Sequence, residues 1–274
     1  MYLEIFSFCP RWGQTHLPWD EFAKRVKESG YDGVETDVPA DKKEKDIVLN
    51  ALAKYGLKLV AQHWETVEPD FEQHLEAYKK RLEIMAAAKP LLINSQTGKD
   101  YYTLEQNAAL IAEATRTAVS TGIPVYHETH RGKFSFAAHI TAEYLRQLPE
   151  LLLTLDISHW VAVAETFLHD QQDAVDLAIS RTRHFHARVG HTQGAQVNDP
   201  RAPEWQEALD MHFRCWDKVY SANKQAGQSF LTFTAEFGPY PYMPQLPYTR
   251  QPVADQWEIN AYMNDLLKSR YRKV

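Results

Sequence analysis

Four segments in the second half of the chain each end an apolar run on a side chain that can ligate a metal. They read Pro124-Val-Tyr-His-Glu128-Thr-His130, Leu151-Leu-Leu-Thr-Leu-Asp156-Ile-Ser-His159, Thr182-Arg-His184-Phe-His186-Ala-Arg188 and Phe230-Leu-Thr-Phe-Thr-Ala-Glu236-Phe-Gly238. Each run has the length and the β-branched or aromatic content of a buried strand. Each is followed by a loop and then a helical pattern. Four parallel strands that end on Glu, Asp, His and Glu bring these groups to one point only if the sheet closes on itself.

The whole chain repeats this alternation. Strands are expected at Leu3–Cys9, Gly33–Val38, Leu57–His63, Leu91–Ser95, Pro124–Glu128, Leu151–Asp156, His184–Val189 and Phe230–Glu236. Between them lie helical patterns, several stopped by glycine, as at Gly30, Gly56, Gly122 and Gly227. Eight strand–helix pairs in strict order favour an α/β fold of the (β/α)8 TIM barrel type over an open doubly wound sheet. The first strand also lacks the glycine-rich turn usual in open dinucleotide-binding sheets. The 274 residues suit one barrel, and no linker-like stretch divides them, so residues 1–274 read as a single domain.

A net charge of −6 argues against a nucleic-acid-binding surface. No apolar run is long enough to span a bilayer. The N-terminus lacks the pattern of a signal peptide. Cys9 and Cys215 stand far apart and read as free thiols of a reducing compartment. A cytoplasmic protein with a small-molecule partner, no nucleic acid and no membrane is expected, and a homo-oligomer stays open.

Three carboxylates and one imidazole suit one divalent metal ion, Mn, Mg, Co or Zn, with positions left for substrate oxygens. Such an ion polarises a carbonyl and stabilises an enediolate. Glu128 and Glu236 are then the candidate acid/base pair. Each of the four residues taken singly reads equally well as a helix cap or a salt-bridge partner.

The chain resembles the xylose isomerase-like barrel superfamily of sugar phosphate isomerases and epimerases along essentially its whole length. The resemblance rests on Glu128, Asp156-Ile-Ser-His159, His184-Phe-His186 and Glu236. It implies the metal ligands Glu128, Asp156, His186 and Glu236, with His186 rather than His184 as the imidazole and His159 beside the substrate. It also implies an isomerase or epimerase of a small polyhydroxy carbonyl compound. A sugar or inosose dehydratase is the alternative. An apurinic endonuclease-like phosphodiesterase and a non-catalytic sugar-binding barrel stand behind both. The segment His186-Ala-Arg188-Val-Gly-His191 departs from the Glu-x-Asn-Arg type of the ketose epimerases and points to a different substrate.

Arg188, Trp160, His63, Trp64 and His191 complete the candidate substrate contacts. Trp64 reads as either a sugar-stacking ring or a packing residue at the barrel mouth, and Trp160 gains its claim from adjoining His159. Glu35 would bind a substrate hydroxyl or an internal partner. His130 is a candidate outer contact, and His127 points into the layer between strands and helices. Arg188 and Arg201 are the only basic groups near strands 7 and 8 that a phosphate could use, which favours a non-phosphorylated substrate. The Pro- and Tyr-rich loop Gly238–Tyr248 is either a wall of the site or surface padding.

Overall fold

Eight parallel strands close into a barrel in chain order, β1 beside β2 through to β8 beside β1. The computed structural model describes residues 3–272. The strands are β1 (Glu4–Pro10), β2 (Gly33–Thr36), β3 (Lys58–His63), β4 (Leu92–Ser95), β5 (Val125–Glu128), β6 (Leu153–Leu155), β7 (Thr182–His186) and β8 (Phe230–Thr234). The first five helices are α1 (Trp19–Glu28), α2 (Lys42–Lys54), α3 (Phe71–Ala87), α4 (Leu104–Thr121) and α5 (Ala138–Gln147). Then come α6 (Ile157–Ala164), α7 (Gln172–Arg181), α8 (Gln206–Gln225) and α9 (Gln256–Tyr271). Closure is made by β1 against β8, from Glu4 opposite Phe230 to Phe8 opposite Thr234.

Side chains alternate between the lumen and the helical layer. Phe8, Val60, Leu92 and Tyr126 form a small apolar plug. Their neighbours Cys9, Ala61, Ile93 and Val125 belong instead to the core packed against the helices. On β7 and β8, Phe185 stacks on Phe233 at 5.5 Å and on Trp216 of α8 at 5.9 Å. Further along each strand the lumen turns polar, at Glu35, Asn94, His184, His186 and Thr234, all buried.

Local signals explain the helix boundaries. Asp41, Asp70 and Asp255 cap α2, α3 and α9 through backbone N–H groups three residues on. Thr103 and Gln106 make a reciprocal capping box at α4, which ends at Gly122 with φ 72°. The strands containing Asp156, Glu236 and Arg188 are shorter than expected. β6 stops at Leu155 because Asp156 turns the chain directly into α6, a short helix not expected from the sequence. The Thr129 hydroxyl fixes this turn, accepting from Asp156 N at 2.8 Å and donating to Asp156 O at 2.9 Å. β8 stops at Thr234 and β7 at His186, so Glu236 and Arg188 lie just beyond their strands.

Among the described residues no helix is long and apolar enough to cross a membrane. Both cysteines are free thiols.

Candidate active site

Alternation carries Glu128 and His186 to the lumen side, and the extended segment after β8 carries Glu236 to the same point. One ligand atom from each of Glu128, Asp156, His186 and Glu236 lies within 4.8 Å of the others, and all four residues are buried. The cluster stands at the carboxyl ends of the strands, where barrel enzymes place their sites. Two of the four, Glu128 and Glu236, line a cavity of about 410 Å³, with Asp156 and His186 behind them.

His186 has two distinct edges. Its Nε2–H donates to Glu35 Oε1 at 3.2 Å. Its Nδ1 faces Glu236 Oε2 at 2.8 Å, Glu128 Oε1 at 3.7 Å and Asp156 Oδ2 at 3.8 Å. The approach to Glu236 is close but not aligned as a hydrogen bond, so a buried nitrogen is left facing three carboxylate oxygens with no partner. A divalent cation fits this donor set of three oxygens and one nitrogen. Burial opposes charge on His186, but Glu236, Glu35 and Glu128 outweigh it and raise its proton affinity well above that of ordinary histidine. A cation at Nδ1 would answer the same field.

Each ligand candidate is anchored by a second contact. Asp156 divides its oxygens: Oδ1 caps α6, accepting from Ser158 N at 3.1 Å and Ser158 Oγ at 2.5 Å, while Oδ2 faces the cluster and accepts from Arg188. The cap and the ligand readings of Asp156 are therefore compatible in one side chain. Glu236 Oε1 accepts from Gln62 at 2.9 Å. Glu128 accepts from Asn94 at 3.1 Å and from Gln96 at 3.3 Å. Burial, with Glu236, Asp156 and Glu35 alongside, pushes the Glu128 carboxyl up to about 8 against the pull of His186.

Glu35 takes the internal of its two expected roles. Buried beneath the cluster, it accepts from Asn94 at 2.8 Å, from His184 at 3.3 Å, and from His186 and Thr234. Burial works against its charge, but His186 and His184 hold it well below the usual carboxylate range. A carboxylate behind the imidazole fixes its tautomer and orientation, an arrangement common behind metal-binding histidines.

The proposed substrate contacts divide sharply. Arg188, buried with 2% exposure, and Trp64, 52% exposed, both line the cavity. His159 stands one layer back, behind Arg188 and tilted against His130 at 49° with ring centroids 4.0 Å apart. Three expectations are corrected. His63 faces the helical layer, where it bonds Ser95 at 3.1 Å and Thr66 at 2.5 Å, because it sits one residue out of phase with Gln62. Trp160 is fully buried in α6, donating from Nε1 to Ser135 O at 2.8 Å. His191 closes a tight turn with Gly194 and lays its ring on Trp205 at 4.9 Å, off the cavity wall. Arg201 also lies away, paired with Asp199 at 2.7 Å on the surface.

Trp160→Phe tests one of these corrections. It leaves the buried Ser135 carbonyl without its donor, which costs about 1–3 kcal/mol. Urea unfolding should show that loss, while the KM for any substrate of the protein stays at its original value.

Tyr242 makes the Gly238–Tyr248 loop a wall of the cavity, as one of its two readings had it, but Gln62, Gln96 and Trp12, which also line it, were not expected from the sequence. Gln62 and Gln96 could have been found by counting the inward positions of β3 and β4. Trp12 and Tyr242 come from loops, where no periodicity exists. They meet edge to face at 5.2 Å. Gly238 allows this, since a Cβ there would lie 2.1 Å from the Trp12 ring.

The family model of the xylose isomerase-like TIM barrel matches residues 23–216. The chain belongs to this family. No curated protein matches it by sequence. Among solved structures, a xylose isomerase domain-containing protein of Salmonella typhimurium LT2 superposes with TM-score 0.63 at 16% identity over 97% of this chain and 98% of the other. The probable 3-DHS dehydratase AsbF of Bacillus anthracis gives 0.59 at 15% identity over 98% and 100%. The 3-keto-D-glucoside 4-epimerase YcjR of E. coli gives 0.55 at 15% identity over 97% and 99%. At these identities the likeness to other xylose isomerase-like barrels is one of fold.

Proposed function

We propose that this protein is a metal-dependent isomerase or epimerase of a small polyhydroxy carbonyl compound. The observation that carries the reading is the convergence of Glu128, Asp156, His186 and Glu236, with His186 Nδ1 unpartnered among three carboxylates. One divalent ion, Mn, Mg, Co or Zn, would polarise a substrate carbonyl there and favour an enediolate.

The chain's own groups supply the rest. Glu128, whose carboxylate lines the cavity, is placed to take a proton from a carbon beside the carbonyl. Glu128 then returns this proton at the neighbouring carbon, the balanced course of an isomerisation; for an epimerisation Glu236 would first take up a proton from solvent and deliver it to the opposite face. Gln96 and Gln62 fix these two carboxylates. The Nδ1–H of His130 donates to Arg131 O at 2.7 Å, which leaves its Nε2 as an acceptor for a substrate hydroxyl at the cavity wall. Trp64 offers a ring face to the apolar side of a sugar.

Loss of water is the second reading, and the name of the Bacillus anthracis neighbour supports keeping it. The same proton abstraction followed by departure of a β-hydroxyl is a dehydration. A screen of aldoses, ketoses, inososes and sugar acids with Mn²⁺ in D₂O separates the two. Isomerisation should give a product of unchanged composition carrying deuterium at the reacting carbon, whereas dehydration gives one lighter by a water. Metal-dependent nicking of an abasic DNA duplex, with no sugar converted, would overturn both.

A further inference from the structure

Beside the four-residue cluster, two guanidinium groups converge on one imidazole, that of His159. Its Nδ1 faces Arg131 Nε at 3.0 Å and its Nε2 faces Arg188 Nη2 at 2.8 Å. A guanidinium only donates. A neutral imidazole can accept at one nitrogen and must carry hydrogen on the other, and a protonated one accepts at neither. In every protonation and tautomeric state at least one arginine therefore points a donor at a donor.

Arg131 is exposed and its remaining N–H groups meet solvent, but Arg188 is buried at the cavity wall. Arg188 spends Nε on Ser158 Oγ at 3.3 Å and Nη2 on Asp156, while Nη1 has no acceptor among the described residues. Arg131 has only Tyr242 Oη, at 3.3 Å, besides His159. Tyr242 joins the pair, its ring lying 4.7 Å from Arg188 Cζ and 5.8 Å from Arg131 Cζ. Arg188 and Tyr242 bring this donor-rich corner to the cavity wall, and Arg188 touches the four-residue cluster through Asp156. An acceptor placed there is within reach of the same small molecule whose carbonyl sits at the four-residue centre.

We propose that the missing acceptor is a carboxylate of the substrate, so that the protein acts on a sugar acid or related acidic polyhydroxy carbonyl compound. Its oxygens take Arg188 Nη1 and the Tyr242 hydroxyl, with Arg131 as the outer cation. A carboxylate oxygen accepts a charge-assisted hydrogen bond from a guanidinium N–H more strongly than a neutral hydroxyl does. The inference rests on the isomerase-or-dehydratase reading only for where the carbonyl lies.

Binding to the Mn²⁺-loaded protein tests it without knowledge of the natural substrate. D-gluconate, its neutral counterpart D-glucitol, and D-glucose 6-phosphate are titrated by calorimetry. Gluconate should bind at least tenfold more tightly than glucitol. Arg131→Gln should weaken that preference and Arg131→Lys should restore part of it, with the Mn²⁺-induced rise in unfolding temperature unchanged in both. A preference undiminished in Arg131→Gln would come from chelation at the metal and overturns the proposal. So does a lack of difference between gluconate and glucitol, whether both bind or neither does, and so does a preference for the phosphate over the carboxylate. Failure of the metal-centre reading would look different, as a missing response to Mn²⁺ itself.

Discussion

Glu128→Gln should lower turnover on a verified substrate by about 10²–10⁴-fold, the contribution of a positioned acid or base. The amide keeps the size of the side chain and an oxygen for Asn94 and Gln96 to donate to, but it cannot carry a proton at the reacting carbon. The fold should persist, because removing the carboxylate relieves the crowding with Glu236 and Asp156 that raises its proton affinity. The discriminating measurement is single-turnover kinetics with washout of a carbon-bound deuterium. Near-original turnover and washout would remove Glu128 from the proton-transfer role.

Asp156→Ala should have the largest effect on the folded state. It removes the cap of α6, and it leaves Arg188, 2% exposed, without its closest counter-charge. Breaking a buried pair from one side costs about 3–5 kcal/mol. The lower end is expected, since Glu236 Oε2 remains 3.7 Å from Arg188. The same variant should lose Mn²⁺ binding. Asp156→Asn separates the effects, keeping an oxygen for the Ser158 cap while removing the charge. Urea titrations with and without Mn²⁺ should show stabilisation by the ion in the original protein and none in Asp156→Ala. Unchanged stabilisation by Mn²⁺ in that variant would exclude Asp156 as a ligand.

The barrel was legible because its physics is periodic. A period of two in the strands and stops at Gly30, Gly56, Gly122 and Gly227 mark the repeated unit, and closure follows from eight of them. The convergence of Glu128, Asp156, His186 and Glu236 was legible because each lies at or just past the carboxyl end of a strand. The same periodicity, carried through consistently, would have turned His63 outward and brought Gln62 and Gln96 inward. Trp160 was misread for a different reason. Adjacency to His159 in sequence implies adjacency in space only along a strand, and Asp156 had already turned the chain into a helix, which sent Trp160 towards Ser135. The contacts of Arg131 and Tyr242 link loops 111 residues apart and leave no local trace in sequence.

The central claim is that four side chains hold one ion at the barrel mouth. Crystals grown with Mn²⁺ and measured at the manganese absorption edge test it directly. The account predicts a single anomalous peak at the carboxyl end of the barrel, about 2.0–2.4 Å from Glu128, Asp156, His186 Nδ1 and Glu236, with Glu35 still accepting from His186 Nε2. Absence of a peak at millimolar Mn²⁺, or a peak on other residues with these four turned apart, would contradict it.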